Sequence, residues 1–482
     1  MGTTKQETSR SSRIENNGNP LPIKTSGSES AKVSTNGQPK IAQQHQSPKP
    51  PRRGLLSKIE RWVIRRMLNS WENPRIQFQL WNGDIISNGN SDSPITITIQ
   101  NRKALWKLIR NPFFEFGEAY SQGDLDVDAP LMELFRVTER VVDGSKPALT
   151  NRKWYSRLFH KKPRRNTLSG SRENIHQHYD LGNDFYEMWL DKQLLYTCAY
   201  FDEPNISLEQ AQIAKMDHVC RKLEIKPGDT VIEAGCGWGA FALHMARHYG
   251  ARVRAYNISQ EQIAYARERC RQERLDDRVE FIQDDWRSID QTADVFASIG
   301  MLEHVGLENY EALGRKIKQV LKPGGRALIH SIGQNQPCPF DPWIERRIFP
   351  GAYPPTLAEM MRIFESNAFS VLDVENIRLH YAETLWHWLD RFEKSADKVQ
   401  DMFDDTFVRA WRLYLTGSFA AFEADRLQLY QVLFRHEKDN SIPRTRRYQY
   451  LEMEEPARFP ARINPEVKST KIASQANDGQ TM

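Results

Sequence analysis

The sequence predicts an α/β fold: a doubly wound, Rossmann-like parallel sheet, preceded by a small α+β domain and a disordered N-terminal tail. From about residue 175 onward, short apolar runs alternate with helical stretches, a pattern that implies right-handed strand–helix–strand crossovers. The first such run leads into "VIEAGCGWGAFA", Val231 to Ala242, a glycine-rich turn between a strand and a helix. A third pattern marks the smaller domain: "RIQFQLWNGDIIS" and "PITITIQ" alternate with period two around turns rich in Asn, Gly and Ser. At 482 residues the chain is long enough for two or three domains and a large core.

The elements follow in order. Residues 1–54 are mostly Ser, Asn, Gln, Lys and Pro, ending "SPKPPRRG", and cannot bury enough surface to offset chain entropy. A disordered basic tail is expected there. Residues 55–71, "LLSKIERWVIRRMLNSW", read as an amphipathic basic helix. Leu55, Ile59, Trp62, Val63 and Met67 fall near helical spacing, with Lys58, Arg61, Arg65 and Arg66 between them. Such a helix either docks on the domain behind it or lies in a lipid interface. Residues 72–150 make the small α+β domain, in which "RKALWKLIRNPFFEFGEAYSQGDLDV" supplies helix, turn and a short strand. Residues 151–174 form a basic linker that interleaves Trp154, Tyr155, Leu158 and Phe159 with arginines and lysines. This pattern suits a phospholipid surface, and no base-reading module accompanies it, so nucleic acid is not an expected partner.

Residues 175–444 carry the larger domain. "DTVIEAGC", "ARVRAYNIS", "RVEFIQDD", "ADVFASIG" and "RALIHSIG" read as strands; "AFALHMARHYG", "QEQIAYARERCRQERL" and "YEALGRKIKQVL" read as helices. "TLWHWLDRFEKSADKV" and "FVRAWRLYLTGSFAAFEADRLQLYQVLF" read as aromatic-rich helices. Pattern is lost after Arg444, and 445–482 are expected to be poorly ordered. The five cysteines show no metal-ligand or disulfide spacing, so no metal site is expected and a reducing cytosol is the default. No apolar run reaches about 18 residues and no secretory h-region is present, so neither a spanning helix nor a signal peptide is expected.

The glycine turn reads GxGxG, with Ala240 where a dinucleotide fingerprint needs its last glycine. Asn257, not an acid, ends the second strand, which further weakens dinucleotide binding. An acid two places before the first glycine, Glu233, followed by Gly235 and Gly237, resembles motif I of S-adenosylmethionine-dependent methyltransferases. A carboxylate there favours a ligand with cationic groups. Asp285 and Trp286, one strand later, fit an adenine amino group and a purine face, or an N-cap and a packed ring. Ser259 and Gln262 fit a capping box, or Gln262 a ribose hydroxyl.

Further stretches sharpen the likeness. "HYDLGNDFYEMWLD", "YTCAYF", "SIGMLEHVG", "LIHSIG", "DPWIERRIFPGAYPP" and "LHYAETL" occur in this order. The set resembles the cyclopropane-fatty-acyl-phospholipid synthase family, which includes the mycolic acid cyclopropane synthases. The resemblance covers about 172–440 and, more loosely, the small domain. It implies addition of a methylene, taken from S-adenosylmethionine, across a cis double bond of an acyl chain. An alkene is a poor nucleophile and must be held in line with the methyl; the resulting cation needs a dry site and a base.

The resemblance further implies that a bound bicarbonate is the base. Cys198, Glu303, His330, Tyr381 and the backbone N–H of Ile332 would hold it. His304 and His380 match less clearly and stand outside this set. The implied cofactor contacts are Tyr196, Thr197, Glu233, Gly235, Gly237, Gln262, Asp285 and Trp286. Trp386, Trp388, Leu389 and Phe392 either line an acyl tunnel or are plain core. The expected partners are unsaturated phospholipid acyl chains at a membrane surface, approached peripherally from the cytoplasmic side, and a second copy in a homodimer. Two alternatives stay open: a C-methyltransferase of the same family that makes methyl-branched chains or methylates a sphingolipid, and a binding protein that has lost catalysis.

Overall fold

The computed structural model describes residues 55–70, 75–88, 94–143 and 181–450. The tail 1–54, the linker 151–174 and residues 451–482 lie outside the described residues.

The small domain begins with helix α1 (Leu55–Ser70) and continues through β1 (Ile76–Leu80), β2 (Ile85–Ile86), β3 (Ile95–Ile99), α2 (Arg102–Arg110), α3 (Pro112–Ser121), β4 (Leu125–Val127) and α4 (Leu131–Asp143). Its sheet runs β2-β1-β3-β4, with β1 and β3 parallel. Asn101 starts α2 by accepting the Ala104 N–H, and Pro112 opens α3 at a position where its missing N–H costs nothing. α1 corrects the expected stripe. Ile64, Leu68 and Glu60 turn inward, Glu60 pairing with Arg102 at 2.8 Å, while Ile59 and Trp62 stay exposed. The buried stripe thus lies about a third of a turn from the one the aromatic residues suggest.

The larger domain holds a seven-stranded sheet of order β10-β11-β9-β8-β5-β6-β7. Its strands are β5 (Thr230–Ala234), β6 (Arg252–Asn257), β7 (Val279–Gln283), β8 (Ala293–Ile299), β9 (Leu321–Gln334), β10 (Phe369–Asn376) and β11 (Leu427–His436). The helices are α5 (Asn183–Glu187), α6 (Leu208–Lys222), α7 (Ala240–Tyr249), α8 (Gln260–Gln272), α9 (Tyr310–Val320), α10 (Pro342–Arg347), α11 (Leu357–Phe364), α12 (Arg378–Lys394), α13 (Ala396–Met402) and α14 (Asp405–Glu423). β5 pairs in parallel with both β6 and β8, so the strand order reverses there. Such a switch point opens a crevice at the strands' carboxyl ends.

Two strands depart from the sequence reading. The aromatic run read as one helix ends at Glu423, turns on Asp425 in the left-handed region (φ 62°), and returns as β11. β11 lies antiparallel between β9 and β10, which places Gln431 opposite His330. β10 is an unexpected edge strand with a bulge between Val371 and Asp373. Residues 445–450, expected to fray, are also corrected. A short helical turn, Arg447–Gln449, packs there, Gln449 is buried, and Arg221 donates to its carbonyl at 3.0 Å.

The small domain is keyed to the larger one by polar contacts, most of them partly buried. Glu118 accepts from Arg347 (2.7 and 2.6 Å) and from the Trp343 indole (3.2 Å). Arg409 on α14 donates to the carbonyls of Tyr120 (2.6 Å) and Leu125 (3.0 Å). Gly117 lies so close to the Trp343 ring that a Cβ would stand 2.5 Å from it. Among the described residues, no helix is long and apolar enough to cross a membrane.

Candidate active site

The glycine turn joins β5 to α7 and floors a cleft at the switch point. Gly235 (φ +87°), Gly237 (φ +52°) and Gly239 (φ +84°) all hold left-handed backbone. A Cβ at Gly235 would sit 3.0 Å from Met301, and one at Gly239 would sit 2.5 Å from the Phe281 ring; at Gly237 it would meet open space. All eight residues expected to contact a cofactor line this cleft: Tyr196, Thr197, Glu233, Gly235, Gly237, Gln262, Asp285 and Trp286.

Their chemistry differs in detail. Glu233 is buried; desolvation pushes its carboxyl up to about 8, and its Oε2 has no partner. Asn257 bridges the Gly237 carbonyl (3.2 Å) and Gln262 Oε1 (2.7 Å), which directs the Gln262 side chain. Ser259 caps the Gln262 N–H, but the Gln262 side chain turns to Asn257 instead of completing a capping box. Asp285 caps Arg287 and pairs with its guanidinium at 2.9 Å, so its carboxylate is already engaged within its own turn. Arg287 also lies 4.6 Å from the Trp286 ring centroid. Tyr196 shares a 2.7 Å hydrogen bond with Tyr414.

None of the five residues expected to hold a small anion lines the cleft, though Cys198 and Glu303 directly follow or precede the lining residues Thr197 and His304. Glu303 and Ile332 meet directly: the Ile332 N–H donates to Glu303 Oε1 at 2.6 Å. The N–H assigned to an anion thus donates here to a carboxyl group of the protein. Burial pushes Glu303 up to about 7 and leaves Oε2 without a partner. His330 is buried in β9, on the same face as Ile332, and its carbonyl accepts the Gly300 N–H at 2.9 Å. Desolvation, then the charges of Lys215 and Lys222, hold its imidazole well below the usual range, so it is neutral. Gln431 Nε2 lies 3.2 Å from Nδ1, which leaves the proton on Nε2. Cys198 is fully buried, its thiol raised by desolvation and donating to the Ala199 carbonyl at 3.0 Å. The Ala199 N–H reaches Thr384 on α12 at 3.0 Å; Tyr381, one turn earlier, packs on Phe422 and Trp388. Cys198 and Tyr381 belong to one extended apolar cluster, against which the partly buried Ile332 packs.

The family model described as "Mycolic acid cyclopropane synthetase" matches residues 166–432, more than half of the chain. This chain is a member of the mycolic acid cyclopropane synthetase family. It is therefore an S-adenosylmethionine-dependent methyltransferase by class. A probable fatty acid methyltransferase of Pseudomonas putida is 33% identical over 366 residues, 74% of this chain and 91% of that protein. The cyclopropane-fatty-acyl-phospholipid synthase of Escherichia coli (strain K12) is 33% identical over 357 residues, 73% and 91% respectively. The crystal structure of mycolic acid cyclopropane synthase CmaA1, complexed with SAH and CTAB, superposes with a TM-score of 0.52 at 27% identity, covering 55% of this chain and 97% of that one. A further model, "Domain of unknown function (DUF7884)", matches residues 63–146, the small domain.

Several cleft residues were either missed in the sequence or weighed there without being assigned to the cofactor. Lys215, Asn257, Asp284, Trp238, Met301 and His304 also line the cleft. His304, set aside in the sequence, is held to about 4 by desolvation and packs on Phe349, which also faces Tyr196 and Tyr414. Its place beside Glu303 was the available signal. Trp388 and Phe392 are fully buried and Leu389 is partly so, but Trp386 is half exposed and is not core. The i, i+2 spacing of Trp386 and Trp388 already puts them on different faces of α12.

Proposed function

We propose that this chain converts a cis double bond of an unsaturated acyl chain in membrane phospholipid to a cyclopropane, with S-adenosylmethionine as donor and bicarbonate as base. The observation that carries the reading is the buried, half-unpartnered carboxyl of Glu303, held by the Ile332 N–H at the end of the strand that also carries a buried, neutral His330.

The residues fit the cofactor. The unpartnered Glu233 Oε2 suits a cationic group, the glycine floor admits close approach, and Gln262 and Trp286 stand at the second and third strands. When bound, the sulfonium supplies the methyl group. Around it, Tyr196 lines the cleft with Phe349 packed behind its ring, aromatic surface of the kind that would help to keep water out.

The residues also fit a small oxyanion. Glu303 Oε2 lacks a partner, and the raised carboxyl carries a proton over part of the neutral range, so it donates to an anion instead of repelling it. By the family resemblance, His330 Nε2–H and the Tyr381 hydroxyl would be further donors, and the Cys198 thiol would join them only by giving up its hydrogen bond to the Ala199 carbonyl. The bound anion supplies the proton acceptor that ring closure needs.

Peripheral docking on lipid belongs to the same proposal. α1 keeps Trp62 and Ile59 outward with Lys58, Arg65 and Arg66 exposed, and the Arg66 guanidinium lies over the Trp62 ring at 5.6 Å. Such a face suits anionic headgroups and the acyl boundary.

The second reading, a methyl-branched product, is favoured by the Pseudomonas putida relative's name. Lipid mass spectrometry of a host without cyclopropane lipids, with and without this gene, separates the two. Cyclopropanation adds one CH2 and removes the reducible alkene; branching with reduction leaves an open, methyl-bearing chain. Expression of His330→Ala should give neither product. Unchanged lipids with the wild-type chain, while it is folded and expressed, would overturn the proposal.

A further inference from the structure

Lys215 sits on the inner face of α6 with its side chain fully buried. Among the described residues lining the cleft it is the one lysine or arginine. Its ammonium donates to Thr197 Oγ1 at 2.9 Å. One turn earlier on α6, Gln212 Nε2 donates to the carbonyls of Thr197 (2.9 Å) and Leu195 (3.3 Å). On the other side Asp191 accepts the N–H groups of Gln193 and Leu195, both at 2.9 Å. The segment 191–198 is thereby folded around a buried cation and a buried acid, an arrangement that is costly unless it serves something.

An ammonium only donates, so Thr197 Oγ1 accepts from it and turns its own O–H elsewhere. Thr197 lines the cleft, and its methyl lies where a Cβ on Gly300 would touch it at 3.2 Å. The acids of the cleft, Glu233, Asp284 and Asp285, come from the ends of β5 and β7; Glu233 is near enough to Lys215 for their charges to interact, and the two Asp residues follow β7. A methyl donor of this class carries a cationic sulfonium, an ammonium and one carboxylate. Glu233, with its unpartnered Oε2, is left for the ammonium. The Lys215–Thr197 corner alone joins positive charge to a directed hydroxyl.

Resting on the cofactor reading above, we propose that Lys215 is a positioning residue for the donor's α-carboxylate: it aims the Thr197 hydroxyl at that carboxylate and supplies its countercharge. Fixing this end sets where the sulfonium methyl lies along the cleft. It also anchors the backbone from which Cys198 projects. Desolvation lowers Lys215 to about 8, with Asp191, Cys198 and Glu233 opposing the shift, so the ammonium is still largely charged at pH 7.

Calorimetric titration of the full chain with S-adenosylhomocysteine and with its decarboxylated analogue tests this. Wild type should bind the carboxylated ligand about tenfold tighter or more, the scale of a charge-assisted hydrogen bond. Lys215→Met should bring that ratio to within about threefold, chiefly by weakening the carboxylated ligand, and Thr197→Val should lower it severalfold. Lys215→Arg should retain part of it. A role in packing alone would weaken both ligands equally and leave the ratio unchanged, which overturns the proposal. Should Lys215→Met fail to fold, Thr197→Val decides by the same ratio. Equal binding of both ligands by wild type sinks the carboxylate assignment and leaves the cofactor reading standing; binding of neither sinks both.

Discussion

The Ile332 backbone N–H donates to Glu303 Oε1 at 2.6 Å, tying the carboxyl end of β9 to the turn that follows β8. The contact holds a carboxyl group in a place where water does not reach its second oxygen. Glu303 is therefore both anchored and poorly solvated, and its proton affinity is raised for that reason.

Glu303→Gln tests this through stability as well as activity. Burial raises the folded-state value to about 7 from 4.5, so the folded protein binds a proton that the unfolded chain has released between those values. The wild type therefore loses stability as pH rises through this window. Measured by denaturant titration, the variant should gain on wild type by up to about 3 kcal/mol between pH 4.5 and pH 7.5, whatever the offset at low pH. Activity should fall by about a hundredfold while cofactor affinity holds. A constant gap across pH contradicts the assignment.

The glycine turn allows a paired comparison. Gly237→Ala meets open space and costs only the left-handed backbone, about 1 kcal/mol, with the main effect expected on cofactor affinity. Gly239→Ala adds a collision with the Phe281 ring and should cost about 2 kcal/mol or more. Thermal melts of the two variants should rank in that order.

Gly117→Ala tests the link between the domains. The added methyl would press on the buried Trp343 ring at 2.5 Å and displace α10. α10 leads directly to Phe349 in the site, and the Tyr353 N–H bonds the Glu303 carbonyl at 2.9 Å. The expected loss is about 1–3 kcal/mol of stability, with turnover reduced more than cofactor affinity. Unchanged turnover in a destabilised variant would show that the small domain does not brace the site.

Glu375 governs the acid limb. Burial alone would raise its carboxyl, but the His218 hydrogen bond and the Lys222 charge outweigh burial and bring it to about 2. Its stabilisation is complete above about 4.5 and is lost as pH falls toward 2. Glu375→Gln deprives the buried Lys222 of its 2.5 Å partner and leaves Asp373 at 3.8 Å. The variant should be about 3 kcal/mol less stable at pH 7, with a flatter acid limb. Acid unfolding that matches wild type in slope and midpoint would contradict this role.

Much of the fold was legible because strand–helix alternation survives in the apolar pattern of β5 to β9. β11 was not, for two physical reasons. It is buried on both faces from Gln428 to Arg435, so it lacks period-two alternation. The helix before it ends without glycine or proline, on a left-handed aspartate. The cofactor residues were legible because the glycine turn announces them. Lys215 was hidden because α6 buries Gln212, Lys215, His218 and Lys222, residue types that normally mark a helix's wet face.

The position of β11 bears on biosynthesis. It lies between β9 and β10, yet it leaves the ribosome after both. A nascent chain that has emerged only to residue 426 therefore exposes the edge of β9 and lacks Gln431 beside His330. Until that last segment docks, β9 presents an unpaired strand edge of the kind that can pair with another chain.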